Sequence, residues 1–339
     1  MYKKPKYLFS FFVMTAVIVF ITSCKKNVFL EQPAANPVAV FDEAWKIMDE
    51  RYSFFVLKNV DWKEQYDAFR PEINDQMTEK ELFKAISDML KTVHDGHVSL
   101  ISNFDTSVYT GFYIPYPRNF NLINIENLYL TDSAKHFGPI KFNIIDSVGY
   151  AYYHSFNDMI SDSDIDSLVD ALHFAKGLVL DVRANFGGNS NNVDKLCRRF
   201  IDQERIVYYE RTKTGKGHGD FSDPRPHSLK PGGLPYKMPI VLLTNRTCYS
   251  ACNDFASFMS TLPNVTIMGD QTGGGGGLPY EYILSNGWHL NYTGSITLSP
   301  SLQPIEQGVY PGQFVFVEPI DEIQGIDPIV DSAIHFLRK

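Results

Sequence analysis

Gly177-Leu178-Val179-Leu180-Asp181-Val182-Arg183-Ala184-Asn185-Phe186-Gly187-Gly188 is an apolar run that stops on paired glycines. Its first six residues predict a buried strand, bounded by a turn-like Asn-Phe-Gly-Gly segment. Working outward, Val193 to Phe200 reads as a short helix, and Asp164 to Phe174 as a helix with Ile165, Leu168, Val169 and Leu172 on one face. Gly149 to Ser155, Met238 to Thr244 and Val265 to Met268 read as further strands, Ser250 to Leu262 and Asp327 to Leu337 as further helices. Strands alternating with helices imply a largely parallel sheet covered on both faces, an α/β fold. The run from Tyr280 to Ser299 differs: Asn286-Gly287 between strand-like segments marks a β-hairpin.

Toward the N-terminus the periodicity changes. Phe41, Trp45, Met48 and Tyr52 recur at helical spacing, a second helix starts near Asp61, and Thr78 with Glu81 forms a capping box before Leu82, Phe83, Ile86, Met89 and Leu90. Residues 38–92 are therefore expected to form a small helical subdomain whose aromatics are core. Residues 101–140, rich in Tyr, Phe, Pro and Asn, read as irregular. The remainder, 93–339, is expected to be one larger domain.

The chain has 339 residues, 44% of them apolar, and a formal charge of −8. That length buries a sizeable core. An acidic chain without a basic stripe is a poor nucleic-acid binder. Lys3, Lys4 and Lys6 precede an apolar run from Leu8 to Ile21, then Thr22-Ser23-Cys24, the pattern of an export signal over 1–23. Residues 24–37 read as a tether. The alternative is an uncleaved membrane anchor; either way the folded part is expected outside the cytoplasm. Cys197, Cys248 and Cys252 lack metal-ligand spacing with histidine and read as buried small hydrophobes. The Gly187-Gly188 loop fits neither the Walker nor the dinucleotide fingerprint, and no metal or cofactor is expected.

Ligands and nucleophiles in such sheets collect beyond the C-terminal strand ends. After one strand, Gly187 and Gly188 expose backbone N–H groups that can face an oxyanion, although taken alone this is better read as an ordinary turn. After another, Thr244 to Ala251 takes a strand through a turn into a helix with Ser250 at its start. That is the logic of a nucleophile elbow, but taken alone Ser250 is better read as an N-cap. A serine nucleophile needs a base, and among nine histidines His97, in His94-Asp95-Gly96-His97, follows a helix with a glycine that lets the backbone present the ring, although taken alone it reads equally as a surface loop histidine. The five glycines from Gly273 to Gly277 read as a flexible loop that admits substrate backbone or moves as a lid, or equally as a solvated turn.

Four segments in this order, Asp95-Gly96-His97, Asp181 to Gly188, Ser250-Ala251 and Gly269 to Gly274, resemble the C-terminal-processing (tail-specific) serine peptidase family. The closer likeness is to the branch of the tricorn protease core and the interphotoreceptor retinoid-binding protein repeats. The resemblance implies a crotonase-like (ClpP/crotonase) mixed sheet, nucleophilic attack by Ser250, and an oxyanion hole from the Ala251 N–H with that of Gly187 or Gly188. Many members use a lysine about 25 residues after the serine; here that region is the glycine run, so His97 is the expected base. A late carboxylate orients the histidine in the tricorn-like branch. Glu306, in Ile305-Glu306-Gln307-Gly308-Val309-Tyr310-Pro311, is similar though one residue short in spacing, with Glu318 as rival. Asn253 replaces the usual acid three residues after the serine and is followed by Asp254. The interval between Leu100 and Gly149 is too short for a PDZ domain. Ile21 to Cys24 resembles a bacterial lipobox, which implies cleavage before Cys24 and its lipidation.

The expected function is therefore a peptidase lipid-anchored to a bacterial membrane, acting on peptides or unfolded protein segments. The alternatives are a binding protein with a degenerate site on the same scaffold, and an esterase using the same residues.

Overall fold

The computed structural model describes residues 36–233 and 235–339. The expected signal segment, Cys24 and all but the end of the tether lie outside the described residues.

Helix α1 (Pro37–Arg51) starts where the Asn36 side chain accepts the free N–H groups of Val38 and Ala39. Helices α2 (Phe55–Lys58), α3 (Trp62–Phe69) and α4 (Glu79–Lys91) follow, and α4 carries the expected reciprocal box between Thr78 and Glu81. Next come β1 (Ser99–Ile101), β2 (Thr106–Val108), α5 (Leu122–Leu128), β3 (Lys135–Phe137), β4 (Ile140–Ile145), β5 (Val148–Tyr152), α6 (Asp162–Ala171), β6 (Leu178–Asp181) and α7 (Ser190–Cys197). The chain continues through β7 (Arg205–Thr212), β8 (Arg225–Leu229), β9 (Ile240–Thr244), α8 (Ala251–Met259), β10 (Val265–Gly269), β11 (Pro279–Ile283), β12 (His289–Thr293), β13 (Ser295–Leu298), β14 (Gln313–Phe314), α9 (Pro319–Ile323) and α10 (Pro328–Arg338). Residues 101–140 are thus not wholly irregular: they hold β2, α5 and β3, elements too short to leave a periodic trace.

The main sheet has the order β14-β10-β9-β6-β5-β4-β3. Its first five strands are mutually parallel and its last two antiparallel, so the sheet is mixed. Alternation along β9 shows why both faces are covered. Leu242 packs into a cluster with Phe255 and Phe258 of α8 and Leu196 of α7. Val241 and Leu243 pack on the other side with Ile329, Val330 and Ala333 of α10.

A second sheet, β11-β12-β1-β2, contains the hairpin turned at Asn286-Gly287. Its Trp288, Leu290 and Tyr292 complete the core formed by Phe41, Met48, Phe55, Trp62, Phe83 and Met89. The N-terminal helices thus close their core against a hairpin from late in the chain. A third sheet, β13-β7-β8, packs near α8. Cys197, Cys248 and Cys252 are buried and, among the described residues, unpaired.

Candidate active site

Strand β6 leaves the sheet through Arg183, which is fully buried and donates to Asp181, Asp327 and the Asn119 carbonyl. Asp327 also caps α10, accepting from the N–H groups of Ile329 and Val330. A buried cation held by two carboxylates therefore pins the chain just upstream of the glycine loop. Asn185 then shapes that loop. Its side chain accepts from the N–H groups of Gly187 (2.9 Å) and Phe156 (3.3 Å) and donates to the Tyr153 carbonyl (3.0 Å).

Gly187 (φ +93°) and Gly188 (φ +135°) occupy backbone conformations reserved for glycine. A Cβ on Gly187 would sit 2.5 Å from the Tyr249 carbonyl, 2.9 Å from the Ala251 nitrogen and 3.0 Å from the Ser250 Cβ. The two loops named from sequence thus meet at van der Waals distance. The Gly187 N–H is already bonded to Asn185. Among the described residues the N–H groups of Gly188 and Ala251 have no protein acceptor.

Ser250 stands at the first turn of α8 with φ 55° and ψ −127°, a strained conformation for a residue with a side chain, and its hydroxyl makes no capping hydrogen bond. The N-cap reading therefore fails: the residue occupies the cap position without doing the cap's work. Its N–H donates to the Gly274 carbonyl (2.9 Å), while Tyr249 donates to the Asn185 carbonyl (3.3 Å). The glycine run is no solvated turn. Gly274 to Gly277 are buried, with Gly274 and Gly275 at positive φ against Glu306 and Tyr249.

His97 reaches the site from the loop after α4. Its ring packs on Tyr249, the residue before Ser250, with centroids 4.9 Å apart. No hydrogen bond joins it to Ser250, and its Nδ1 is buried without a partner. Burial lowers the His97 pKa and nearby Lys58 adds to this, against the opposing pull of Asp95. Such an imidazole is neutral at neutral pH and can accept a proton.

Asp95 anchors this loop. Its carboxylate accepts from the Tyr52 hydroxyl (3.0 Å), the Thr293 hydroxyl (2.7 Å), the Tyr249 hydroxyl (3.3 Å) and the His97 N–H (2.8 Å). Burial, then the Asp95 charge, holds Tyr52 and Tyr249 well above the usual tyrosine range, so both remain donors.

Glu306 lies within this same group of loops, buried, with Oε1 2.6 Å from Lys58 Nζ and Oε2 accepting the Gly276 N–H at 2.8 Å. Its carboxyl is raised to about 7, first by burial and then by Asp95, against the opposing effect of Lys58. Its rival Glu318 is exposed and lies at the start of α9. Asn253 is buried; it donates to the Ile305 carbonyl (3.0 Å) and accepts from the Thr272 hydroxyl (2.7 Å). This position needs a donor and an acceptor together, which an ionised acid cannot supply.

Sequence reading missed Lys58 and the Arg183 triad. Lys58 sat in a segment read as helical core, and nothing local marks it as reaching a distant loop. Asp181 and Arg183 were visible in their motif, but the partner Asp327 lies far along the chain.

A cleft of about 230 Å³ opens beside these residues, lined by Lys58, Gly96, Phe112, Tyr249, Gly273 and Glu306 among others. Phe112 stacks on Tyr249 at 4.2 Å, so the wall of the cleft next to the nucleophile turn is aromatic. Among the described residues there is no group of side chains suited to hold a metal ion.

The chain matches the model of peptidase family S41 over residues 147–313 and that of the tricorn protease C1 domain over residues 33–91. A solved structure of a presumptive peptidase from Parabacteroides merdae ATCC 43184 is 39% identical, covering 89% of this chain and 97% of that one, with a TM-score of 0.87. The tricorn protease is 16% identical over 90% of this chain and 37% of its own, with a TM-score of 0.56. The photosystem II D1 C-terminal processing protease is 17% identical over 86% of this chain and 96% of its own, with a TM-score of 0.55. These last two likenesses speak to the fold. With the S41 match spanning both strand-end loops and a relative of 39% identity along nearly its whole length, the chain belongs to peptidase family S41 and is a serine-type peptidase.

Proposed function

We propose that the protein hydrolyses peptide bonds through an acyl-enzyme on Ser250. His97 takes the hydroxyl proton as Oγ attacks the scissile carbonyl, then passes it to the leaving amine. The N–H groups of Ala251 and Gly188 receive the developing oxyanion, since that of Gly187 is bonded to Asn185. A water deprotonated by His97 then attacks the acyl ester, the carboxylate product leaves, and Ser250 regains its proton. Glu306 serves as the third member by holding the glycine run that supports Ser250, through the Gly275 and Gly276 N–H groups.

The observation carrying this reading is the state of Ser250: a strained backbone, a hydroxyl free of any cap, and beside it two N–H groups unpaired among the described residues. Apo hydrogen bonds of catalytic pairs are commonly loose, so a His97 ring one residue away is compatible with a working dyad.

The substrate class is peptides and unfolded protein segments, which can lay an extended stretch along an open cleft. The chain acts outside the cytoplasm, held to a bacterial membrane by a lipid on Cys24. Labelling by a fluorophosphonate probe tests the nucleophile: Ser250→Ala should abolish it and His97→Ala slow it. Full hydrolysis of casein-like substrates by both variants sinks the assignment. Cys24→Ser should release the protein from the membrane fraction, and unchanged retention contradicts the anchor.

A further inference from the structure

We propose that Lys58, carried by the N-terminal helical segment, is a positioning residue of the peptidase site, and that its ammonium clamps the loop bearing His97 to the loop that supports Ser250. The inference rests on the roles given above to Ser250, His97 and Glu306.

Lys58 Nζ lies 2.6 Å from Glu306 Oε1 and donates to the His94 carbonyl at 2.9 Å. His94 belongs to the loop that presents His97. Glu306 in turn holds the glycine run twice: its Oε2 accepts from the Gly276 N–H, and its carbonyl accepts from the Gly275 N–H at 3.3 Å. The Gly274 carbonyl then accepts the Ser250 N–H. One ammonium thus joins two chains of contacts, one ending at the base and the other at the nucleophile. An ammonium suits this task because its donors radiate from one point and can serve two loops at once.

The charge pattern makes the cation necessary. Glu306 and Asp95 are both buried, and among the described residues Glu306 has no other cation at ion-pair distance. Tyr52, Tyr249, His97 and Asp254 act on these two carboxylates, and none of them is a fixed positive charge; His94 and Arg246 line the same cleft, but Arg246 is paired with Asp270 at 3.3 Å. Burial and the Asp95 charge already raise the Glu306 carboxyl while Lys58 opposes them, so without Lys58 Glu306 would hold its proton to still higher pH.

The clamp is itself rigid. Helix α2 is only four residues long and ends at once because Asn59 turns left-handed (φ 53°). Phe54 and Phe55 on either side of its start are buried, and Phe55 stacks on Trp62 at 5.2 Å. Tyr52 adds a second tie from the same segment to Asp95, and the Ser53 N–H donates to the Thr293 carbonyl. Lys58 therefore reports to the active site whether the helical segment is docked. Its ammonium bonds to the His94 carbonyl and Glu306 and makes no hydrogen bond to the Ser250 hydroxyl.

The test uses the full chain and compares Lys58→Gln, Lys58→Arg, Glu306→Gln and the Lys58→Gln/Glu306→Gln double variant. Peptide hydrolysis and fluorophosphonate labelling are followed between acid and alkaline pH, with thermal melting alongside. Lys58→Gln should lower kcat by about tenfold or more while KM changes by less than about threefold. Its acid limb should move up by roughly one pH unit, because losing the cation lets both His97 and Glu306 hold their protons to higher pH. Lys58→Arg should restore most of kcat and leave the limb in place. The double variant should be no worse than Glu306→Gln alone, because the two residues act as one unit. A folded Lys58→Gln with wild-type kcat and pH profile overturns the proposal, as does a double variant whose losses multiply. If Lys58→Gln does not fold, Lys58→Arg decides, and a displaced limb there counts against the clamp. Ser250→Ala run in parallel separates the two levels: if it remains active, it is the reading of the site that fails.

Discussion

Replacing Gly187 by alanine tests the oxyanion site at its narrowest point. The new Cβ would lie 2.5 Å from the Tyr249 carbonyl oxygen and 2.9 Å from the Ala251 nitrogen. An ordinary carbon–oxygen contact is about 3.3–3.6 Å, so the loops must separate by roughly 1 Å. A donor set about 2.7–3.1 Å from an oxyanion then falls outside hydrogen-bond range, and the expected loss in kcat is about 10²–10³, or ~3–4 kcal/mol of transition-state stabilisation. Some of the damage is backbone strain, since φ at Gly187 is +93°, and an L-residue there costs about 1–2 kcal/mol. Gly287 supplies the control. It has φ +83° in the β11–β12 turn with nothing within 4 Å of a built Cβ, so Gly287→Ala carries comparable strain without the collision. Both variants should melt lower, by roughly 2–4 °C for each kcal/mol lost, but only Gly187→Ala should lose turnover. The assay is steady-state peptide hydrolysis beside thermal melting. A folded Gly187→Ala within about threefold of wild-type kcat refutes the reasoning, since transition-state contacts would then not pass between these loops.

Three further outcomes follow from buried charge. The Asp254 carboxyl is raised from 3.8 to about 7, first by burial and then by Glu210 and Glu306. A raised folded value favours folding below the unfolded pKa, and that contribution is lost as pH rises through 7. Asp254→Asn should therefore gain on wild type in melting temperature as pH rises from below 4 to 8, by at most a few kcal/mol on about 1.4 kcal/mol per unit; a pH-independent difference contradicts this. Arg183→Met leaves Asp181 and Asp327 facing each other in the core and should cost about 3–5 kcal/mol in urea unfolding, part of it recovered when both acids become Asn; a loss below 1 kcal/mol would mean that the triad is not the pin described. Asn253→Asp removes the donor to the Ile305 carbonyl and should cost about 1–3 kcal/mol and lower kcat through Glu306, whereas unchanged melting and turnover would free Asn253 of that role.

The sheet and its two strand-end loops could be read from sequence because their signals are local. Apolar runs such as Leu178 to Asp181 and Ile240 to Thr244 are bounded by turns, and the Asn286-Gly287 hairpin is a matter of adjacent residues. The third sheet escaped because β7 is half-buried along most of its length and carries Arg205, Glu210 and Arg211, so it shows neither a continuous nor an alternating apolar pattern. The glycine run reads as flexible or solvated because glycine signals freedom in a sequence. Here each glycine instead marks a close approach that a Cβ would block: Glu306 against Gly274, Tyr249 against Gly275 and Ile305 against Gly276.

Ser250 shows the same limit in one residue. Serine ahead of a helix is the ordinary sign of a cap, and nothing in its neighbours distinguishes the alternative. The distinction is conformational. A capping serine takes an extended backbone that turns its hydroxyl back onto the first turn, whereas φ 55° with ψ −127° turns it away. That backbone costs about 1–3 kcal/mol and persists only where its surroundings over-determine it. They do so here through bonds from three directions: Tyr249 to the Asn185 carbonyl, Ser250 to the Gly274 carbonyl, and Asp254 back to the Ser250 carbonyl. The first two partners belong to two of the other three motif segments. Strain at the nucleophile, the asparagine that shapes the oxyanion loop and the buried glycine run are therefore one mechanical unit, which is why these weak motifs gain meaning only together and in order.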